Sequence, residues 1–358
     1  MRAIHQITAG FRRGDAISNA ALLVRGVFRS WGCRSDILSR SRSIAPDMRR
    51  EACDIDEAVR EINPDDIAVL HLSIGNPVNL AFRDLRCRKA IIYHNITPSR
   101  YFRLLDPRTA ADLDLGREQL RMLAGVADLN MAVSAYNANE LREAGYADVK
   151  VLPLPVDVDS FVKGGIDEHT MRLLGGGQRN VLFVGRCAPN KKLEDCLLVA
   201  YHLAHIMPGT RFIRVGSQSG AEAYFGLVQA FGKALGLTNY IDLKGVSQQV
   251  LNACYASADA FLCVSEHEGF CAPLVEAMLH RVPVFALATS AIPETLGGAG
   301  MLFEQPFDAP LIAETMAEVF QNPDLREAIL KRQDERIAAF RNRDLDGEMR
   351  ALFAPLLA

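Results

Sequence analysis

Residues 266–280 read EHEGFCAPLVEAMLH and set three carboxylates, Glu266, Glu268 and Glu276, around a turn of small residues that leads into an apolar helical run. The preceding segment DAFLCVS suits a buried strand ending at Ser265, and Pro273 suits the first turn of a helix. Backbone N–H groups of residues 269–272 are then expected at a helix N-terminus, where partial positive charge favours an anion. Carboxylates beside a bound anion are repelled by it, so Glu268 and Glu276 suit hydroxyl groups instead. A nucleotide sugar has this combination: a pyrophosphate between a ribose diol and a polyhydroxylated sugar. Glu266 receives no role from this reasoning.

A second cluster of chemistry-bearing residues is VGRCAPNKK, residues 184–192, at the end of another strand-like run. Arg186 and Lys191, five residues apart across a turn containing proline, can converge on one anion without a metal. A third is FRRGDAISN near the N-terminus, where Gly14 permits close backbone approach and Asp15 can either face a ligand or simply cap the next helix. Gly216, closing the strand-like run TRFIRVG, is counted with the donor-binding positions. Four D-x-D pairs occur, Asp54/Asp56, Asp112/Asp114, Asp157/Asp159 and Asp344/Asp346. None sits in a strand-end loop with other ligands, so they are read as structural or solvated, and no metal or other cofactor is expected.

These loops need a frame. Short apolar runs alternate with helix-period segments in two series: AIHQIT, IAVLHLSI, KAIIYHNI, LNMAVS and VKVLPL, then NVLFVG, TRFIRVG, YIDLKG, DAFLCVS and VPVFAL. Repeated strand–helix–strand units imply parallel sheets with helices on both faces, and in such sheets ligands sit at the carboxyl ends of strands. The expected fold class is α/β with two Rossmann-like, doubly wound lobes and a cleft between them. The 358-residue length suits two domains of ~100–200 residues each. Residues 155–178, with a triple glycine at 175–177, read as a linker or hinge. The expected division is 1–165, 166–335 and a C-terminal helical tail 336–358 that crosses back to pack on the first domain.

The composition, 49% hydrophobic and 23% charged, is that of a globular protein rather than a disordered chain. The eight cysteines show no C-x-x-C pair or zinc-finger spacing, so reduced, mostly buried thiols are expected. The first residues lack a signal-peptide pattern and no apolar run reaches the ~18 residues of a membrane span, which gives a cytoplasmic expectation. Net charge is −3, yet the first 50 residues hold ten arginines against three aspartates. A basic first domain without a nucleic-acid motif suits an anionic substrate or peripheral contact with the inner face of an anionic membrane, although local ion pairs would account for it equally.

With these residues in view, the chain resembles the retaining glycosyltransferases of family GT4, which have the GT-B fold. The resemblance rests on the E-x7-E spacing of Glu268 and Glu276 within EGFCAPLVEAM. It rests too on the order of GDAISN, YHNITP (93–98), VSAYNANELREAGY (133–146), VLPLPVDVDSF (151–161), VGRCAPNKK, LKGVS (243–247) and IPETLGGAGMLF (292–303). It covers nearly the whole chain. It implies that Arg186 and Lys191 neutralise a diphosphate, that Glu268 contacts the donor sugar and that Glu276 holds the ribose diol. Amides of Phe270, Cys271 and Ala272 would face the diphosphate or sugar, groups near Val246 would line the base pocket, and His94 would stand near the donor sugar. The family often has glycine where this chain has Cys271, so the turn there is the point at which its geometry is most open.

The resemblance further implies a metal-independent retaining transfer from a UDP- or GDP-linked sugar to a hydroxyl of a glycan or lipid-diphosphate-linked acceptor, as in bacterial envelope polysaccharide synthesis. Two alternatives stay open at this stage: a related phosphorylase or nucleotide-sugar epimerase, and a nucleotide-sugar-binding regulator without catalysis. A dinucleotide-dependent dehydrogenase is disfavoured because no G-x-G-x-x-G follows either opening strand.

Overall fold

The structure, a computed structural model, describes residues 3–358. The chain forms two compact units. One comprises residues up to Arg100, Arg108–Val156 and Arg343–Ala358; the other comprises Tyr101–Pro107 and Asp157–Asn342.

The first unit is built on seven parallel strands: β1 (Ile4–Thr8), β2 (Ile37–Ser39), β3 (Cys53–Asp54), β4 (Ile67–Leu72), β5 (Arg88–Tyr93), β6 (Leu129–Ala132) and β7 (Val149–Val151). Their order is β3-β2-β1-β4-β5-β6-β7, with Gln6 opposite both Ile37 and Val69. Every residue of β1 and β4 is buried, as expected where helices cover both faces of a sheet. Strand order reverses between β1 and β4, and a groove opens beside that point, lined by Gly10, Arg12, Asp15, Ser73 and Asn76 among others. Asp15 caps the helix Ala16–Ser30, accepting hydrogen bonds from the Ser18 amide (2.9 Å) and hydroxyl (2.8 Å). The C-terminal helix Leu345–Leu357 belongs to this unit. Asp346 accepts from the Trp31 indole at 2.7 Å, and Phe353 packs edge-on against Phe28 with ring centroids 5.1 Å apart.

Several N-terminal arginines are occupied locally: Arg13 pairs with Asp47, Arg25 with Glu51 and Arg34 with Asp36. Three of the D-x-D aspartates are helix caps, Asp54 on the helix Ile55–Ala58, Asp157 on the 3-10 turn Val158–Ser160 and Asp344 on the helix Leu345–Leu357. Among the described residues no helix is long and apolar enough to cross a membrane.

The second unit has six parallel strands: β8 (Asn180–Val184), β9 (Arg211–Val215), β10 (Tyr240–Leu243), β11 (Ala260–Cys263), β12 (Val284–Leu287) and β13 (Met301–Phe303), in the order β10-β9-β8-β11-β12-β13. Its core joins the inward faces of β8, β11 and β12 to the helices Leu193–Ile206 and Ala309–Gln321. The reversal falls between β8 and β11. In open parallel sheets the crevice at such a reversal is where ligands bind, which singles out the loops leaving these two strands.

Two features shape the ends of β8 and β9. Arg214 is fully buried, lies opposite Asp242 in the β9–β10 register and pairs with it through Nη1, and its Nη2 donates to the carbonyls of Gly216 (3.2 Å) and Ser217 (2.9 Å). Gly216 itself has φ 151°, and a Cβ there would stand 2.1 Å from the Gly185 carbonyl oxygen. Only glycine lets the two strand ends approach so closely. Gly216→Ala must push backbone against backbone. It is expected to lower stability by roughly 1–3 kcal/mol in urea unfolding; an unchanged midpoint would show that the strands separate freely.

Candidate functional site

The site at the β8/β11 reversal is assembled from three loops. After β8 the chain runs through Gly185 and Arg186 into a 3-10 turn, Pro189–Lys191, and then into the helix Leu193–Ile206. After β11 it runs through Glu266 and Glu268 to the helix Ala272–Leu279, and after β12 it runs through Thr289 and Ser290. Polar bonds lock the three together. The Asn190 side chain donates to the His267 carbonyl at 2.9 Å, while the Glu266 amide donates to the Asn190 carbonyl at 2.9 Å. The Glu268 amide donates to the Ser290 hydroxyl at 2.8 Å, and the Thr289 hydroxyl donates to the Ser265 carbonyl.

At the centre Lys191 pairs with Glu268. Glu268 is buried and Lys191 largely so, a setting in which each charge needs the other. Burial opposes the Lys191 ammonium, but the Glu268 carboxylate outweighs it and holds the amine pKa above its ordinary value. Arg186, by contrast, is exposed and makes no hydrogen bond or ion pair with a described residue, so its guanidinium is available to an anion. Lys192 adopts the left-handed conformation (φ 53°) and lies 3.1 Å from Glu194, 3.5 Å from Asp195 and 3.7 Å from Glu266. Glu266 thus has a partner: it is one of three carboxylates around Lys192.

Cys271 resolves the departure from the family pattern. It takes the left-handed conformation that glycine favours, φ 68° and ψ 67°, at the N-cap of Ala272–Leu279, and its side chain does not cap the helix. The turn keeps the glycine-type backbone although the residue is not glycine. Its sulfur lies 3.8 Å from that of Cys263 at the end of β11. The Phe270 carbonyl accepts from the Thr295 hydroxyl, and Ala272 opens the helix at a terminus without a side-chain cap. One turn on, Glu276 is half-buried; burial raises its pKa, and a hydrogen bond with Tyr255 partly opposes that rise. Val246, half-buried in the loop between β10 and the helix Gln248–Ala256, precedes the Ser247 cap of that helix.

The structure therefore gathers Arg186, Lys191, Gly216, Val246, Glu268, Phe270, Cys271, Ala272 and Glu276 on the loops and first helical turns at one end of one sheet, with Lys191 and Glu268 in direct contact. In the first unit Gly14 and Asp15 lie in the loop that follows β1, and His94 directly follows β5, two strands away. His94 is buried and its Nε2 lies 2.8 Å from His71 Nδ1; His71 Nε2 lies 2.9 Å from the Gln6 amide oxygen, and the Gln6 amide nitrogen donates to the Ala21 carbonyl. The chain of bonds sets the tautomers. Gln6 offers an acceptor, so His71 carries its proton on Nε2 and accepts at Nδ1, and His94 must donate from Nε2. Burial holds His71 down to about 4, and burial with the neighbouring His71 holds His94 well below its ordinary range. Both imidazoles are neutral near pH 7.

Arg214, Asn190, Ser290, His71 and Gln6 position these groups and escaped the sequence reading. Arg214 and Asp242 carried a signal, since a charge of each sign inside the apolar runs TRFIRVG and YIDLKG calls for a buried pair. His71 and Gln6 carried the same kind of signal, as polar residues within buried strands.

Residues 168–336 match the model of the family Glycosyl transferases group 1, so this segment is a domain of that family. The fold is GT-B. Anabaena HepE, solved in complex with UDP and glucose, shares it at a TM-score of 0.73 and 17% identity, over 99% of this chain and 100% of that one. Among curated relatives, the GDP-mannose-dependent alpha-mannosyltransferase of Mycolicibacterium smegmatis is 31% identical over 136 residues, 37% of this chain and 32% of the relative. The O-antigen chain mannosyltransferase B of Escherichia coli is 29% identical over 152 residues, 42% of this chain and 39% of the relative. The match thus spans between about a third and two fifths of the length of these curated relatives.

Two outcomes follow from this geometry. Cys271→Gly relieves the left-handed strain at the cost of a small side chain and is expected to stay within ~1 kcal/mol of wild type, whereas the β-branched Cys271→Val should lose ~1–3 kcal/mol in urea unfolding. If valine is tolerated as well as glycine, the turn is not held left-handed. The second concerns pH. His71 titrates near 4 in the fold against about 6.5 in the unfolded chain, so the unfolded chain binds more protons between those values. Stability should fall as pH drops from about 6.5 toward 4, by up to roughly 3 kcal/mol from this residue. Urea midpoints of His71→Asn measured across that window should decline less steeply; an identical slope would remove His71 from the account.

Proposed function

We propose that the chain is a glycosyltransferase that moves a sugar from a nucleoside-diphosphate sugar to a hydroxyl of a glycan or lipid-linked acceptor. The observation that carries the reading is the Lys191–Glu268 pair at the β8/β11 reversal, beside the uncapped N-terminus of Ala272–Leu279 and the unpaired Arg186. Cations and helix amides suit a diphosphate; carboxylates on either side of the turn suit hydroxyls. Arg186, Lys191 and the amides of Phe270, Cys271 and Ala272 are assigned to the diphosphate, Glu268 to the sugar, Glu276 to the ribose, Val246 and Gly216 to the nucleotide pocket.

Transfer is proposed to retain configuration and to need no metal. As the diphosphate departs, Lys191 and Arg186 stabilise its growing charge, and its oxygen takes the acceptor proton as the hydroxyl attacks on the same face. Glu268, engaged with Lys191, positions the sugar rather than forming a covalent bond. From the family resemblance alone, His94 is assigned a place near the donor sugar, and Gly14 and Asp15 a donor-binding role. The curated relatives support a hexose donor and an envelope-polysaccharide acceptor. The excess of arginine over acidic residues in the first 50 positions, beyond the ion pairs of Arg13, Arg25 and Arg34, supports an anionic acceptor, lipid-linked at the inner face of the cytoplasmic membrane.

Glu268→Gln keeps the shape of the side chain but removes the charge that Lys191 faces. It is expected to reduce transfer, or slow donor hydrolysis, by at least ~100-fold with the circular dichroism spectrum unchanged. Thermal shifts with UDP, GDP and ADP identify the base, since a nucleotide at 100 times its Kd stabilises by ~2.7 kcal/mol. Full transfer by the Glu268→Gln protein would overturn the assignment, and nucleotide binding without turnover of any sugar donor would favour a regulator.

A further inference from the structure

Cys263 and Cys271 play no part in the chemistry assigned to the donor loop through their sulfurs, yet the fold brings those sulfurs together beneath it. Cys263 ends β11, Cys271 caps the next helix, and the Sγ atoms stand 3.8 Å apart. A carboxylate oxygen of Glu268 completes a group of three in which all ligand atoms lie within 4.8 Å of one another, and all three residues are buried. We propose that Cys263, Cys271 and Glu268 form a binding site for a soft divalent cation, zinc foremost, and that filling it shuts down the donor loop.

The distances favour a metal over a disulfide. Two thiolates bound to zinc at ~2.3 Å with a tetrahedral angle stand about 3.8 Å apart, the separation seen here. A disulfide requires sulfurs about 2.05 Å apart, so the pair would have to close by well over an ångström inside a packed turn. Two thiolates and a carboxylate are a zinc donor set, leaving the fourth tetrahedral position for water. Charge balances as well. Binding releases the two thiol protons to solvent and leaves Zn²⁺ with two thiolates and one carboxylate, a net charge of −1 that the Lys191 ammonium on Glu268 offsets. The Ser265 hydroxyl lies 3.5 Å from the Cys263 sulfur and can hold that ligand in orientation. No other such group of three His, Cys, Asp or Glu residues is found among the described residues.

The consequence for transfer rests on the reading of Glu268 as a sugar ligand: a carboxylate bound to zinc is withdrawn from the donor, and a tied Cys271 fixes the amides at the helix terminus. Zinc would thus act as an inhibitor, separate from any catalytic requirement.

Titrating the reduced, full-length protein with Co²⁺ tests the site without reference to activity. One equivalent should bind with the near-ultraviolet absorption of thiolate-to-cobalt charge transfer, and Zn²⁺ should bleach it. Cys263→Ser and Cys263→Ala, two replacements of different polarity so that one tolerated by the core suffices, should each weaken binding at least tenfold. Zn²⁺ should weaken nucleotide-sugar binding at least tenfold in the wild-type protein and leave it unchanged in the Cys263 variants. Absence of the thiolate band, or equal affinity in a folded Cys263 variant, overturns the site. Intact donor binding with zinc in place overturns the inhibition. Zinc binding through the cysteines in a protein that turns over no nucleotide sugar would instead overturn the transferase reading and leave the site standing.

Discussion

A lysine and a glutamate that share a largely buried position cannot be understood one at a time. Removing either from the Lys191–Glu268 pair leaves the other charge facing a low dielectric, a loss of several kcal/mol, whereas the intact pair contributes little to stability compared with an apolar one. Folding alone therefore gives little reason for the pair at the strand reversal. The surrounding bonds agree with that. Asn190, Ser290 and Thr289 tie the three loops through backbone groups and leave the two side chains to pair with each other.

The same economy governs the neighbouring strand ends. Arg214 directs its two terminal nitrogens to Asp242 and to two carbonyls of the loop that begins at Gly216, so one fully buried cation holds a glycine loop against β8. In the first unit, Gln6 and His71 do for His94 what Arg214 does for that loop. They add no group to the surface but decide which nitrogen of a buried imidazole bears the proton.

Much of this was legible before any coordinates. Alternating apolar runs and helix-period segments imply two parallel sheets, because strands covered on both faces read as continuous apolar stretches. The loops that matter also stood out, since strand-end position and the spacing of Glu268 and Glu276 are local properties. Pairings between distant segments were less accessible. Glu266 looked idle until Lys192, on a different loop, was seen 3.7 Å away, and the arginines near the N-terminus looked like one basic surface until several were seen in ion pairs.

What the sequence determined by itself was the succession of strands and helices, the loops at their carboxyl ends and the residue types those loops carry, all of which follow from periodicity and from the distinct habits of glycine, proline and charge. Tertiary structure decided which of those loops meet. It placed β8 beside β11, and so Lys191 on Glu268. Contacts of this kind depend on strand order and on the packing of segments far apart in the chain, and no local pattern encodes them.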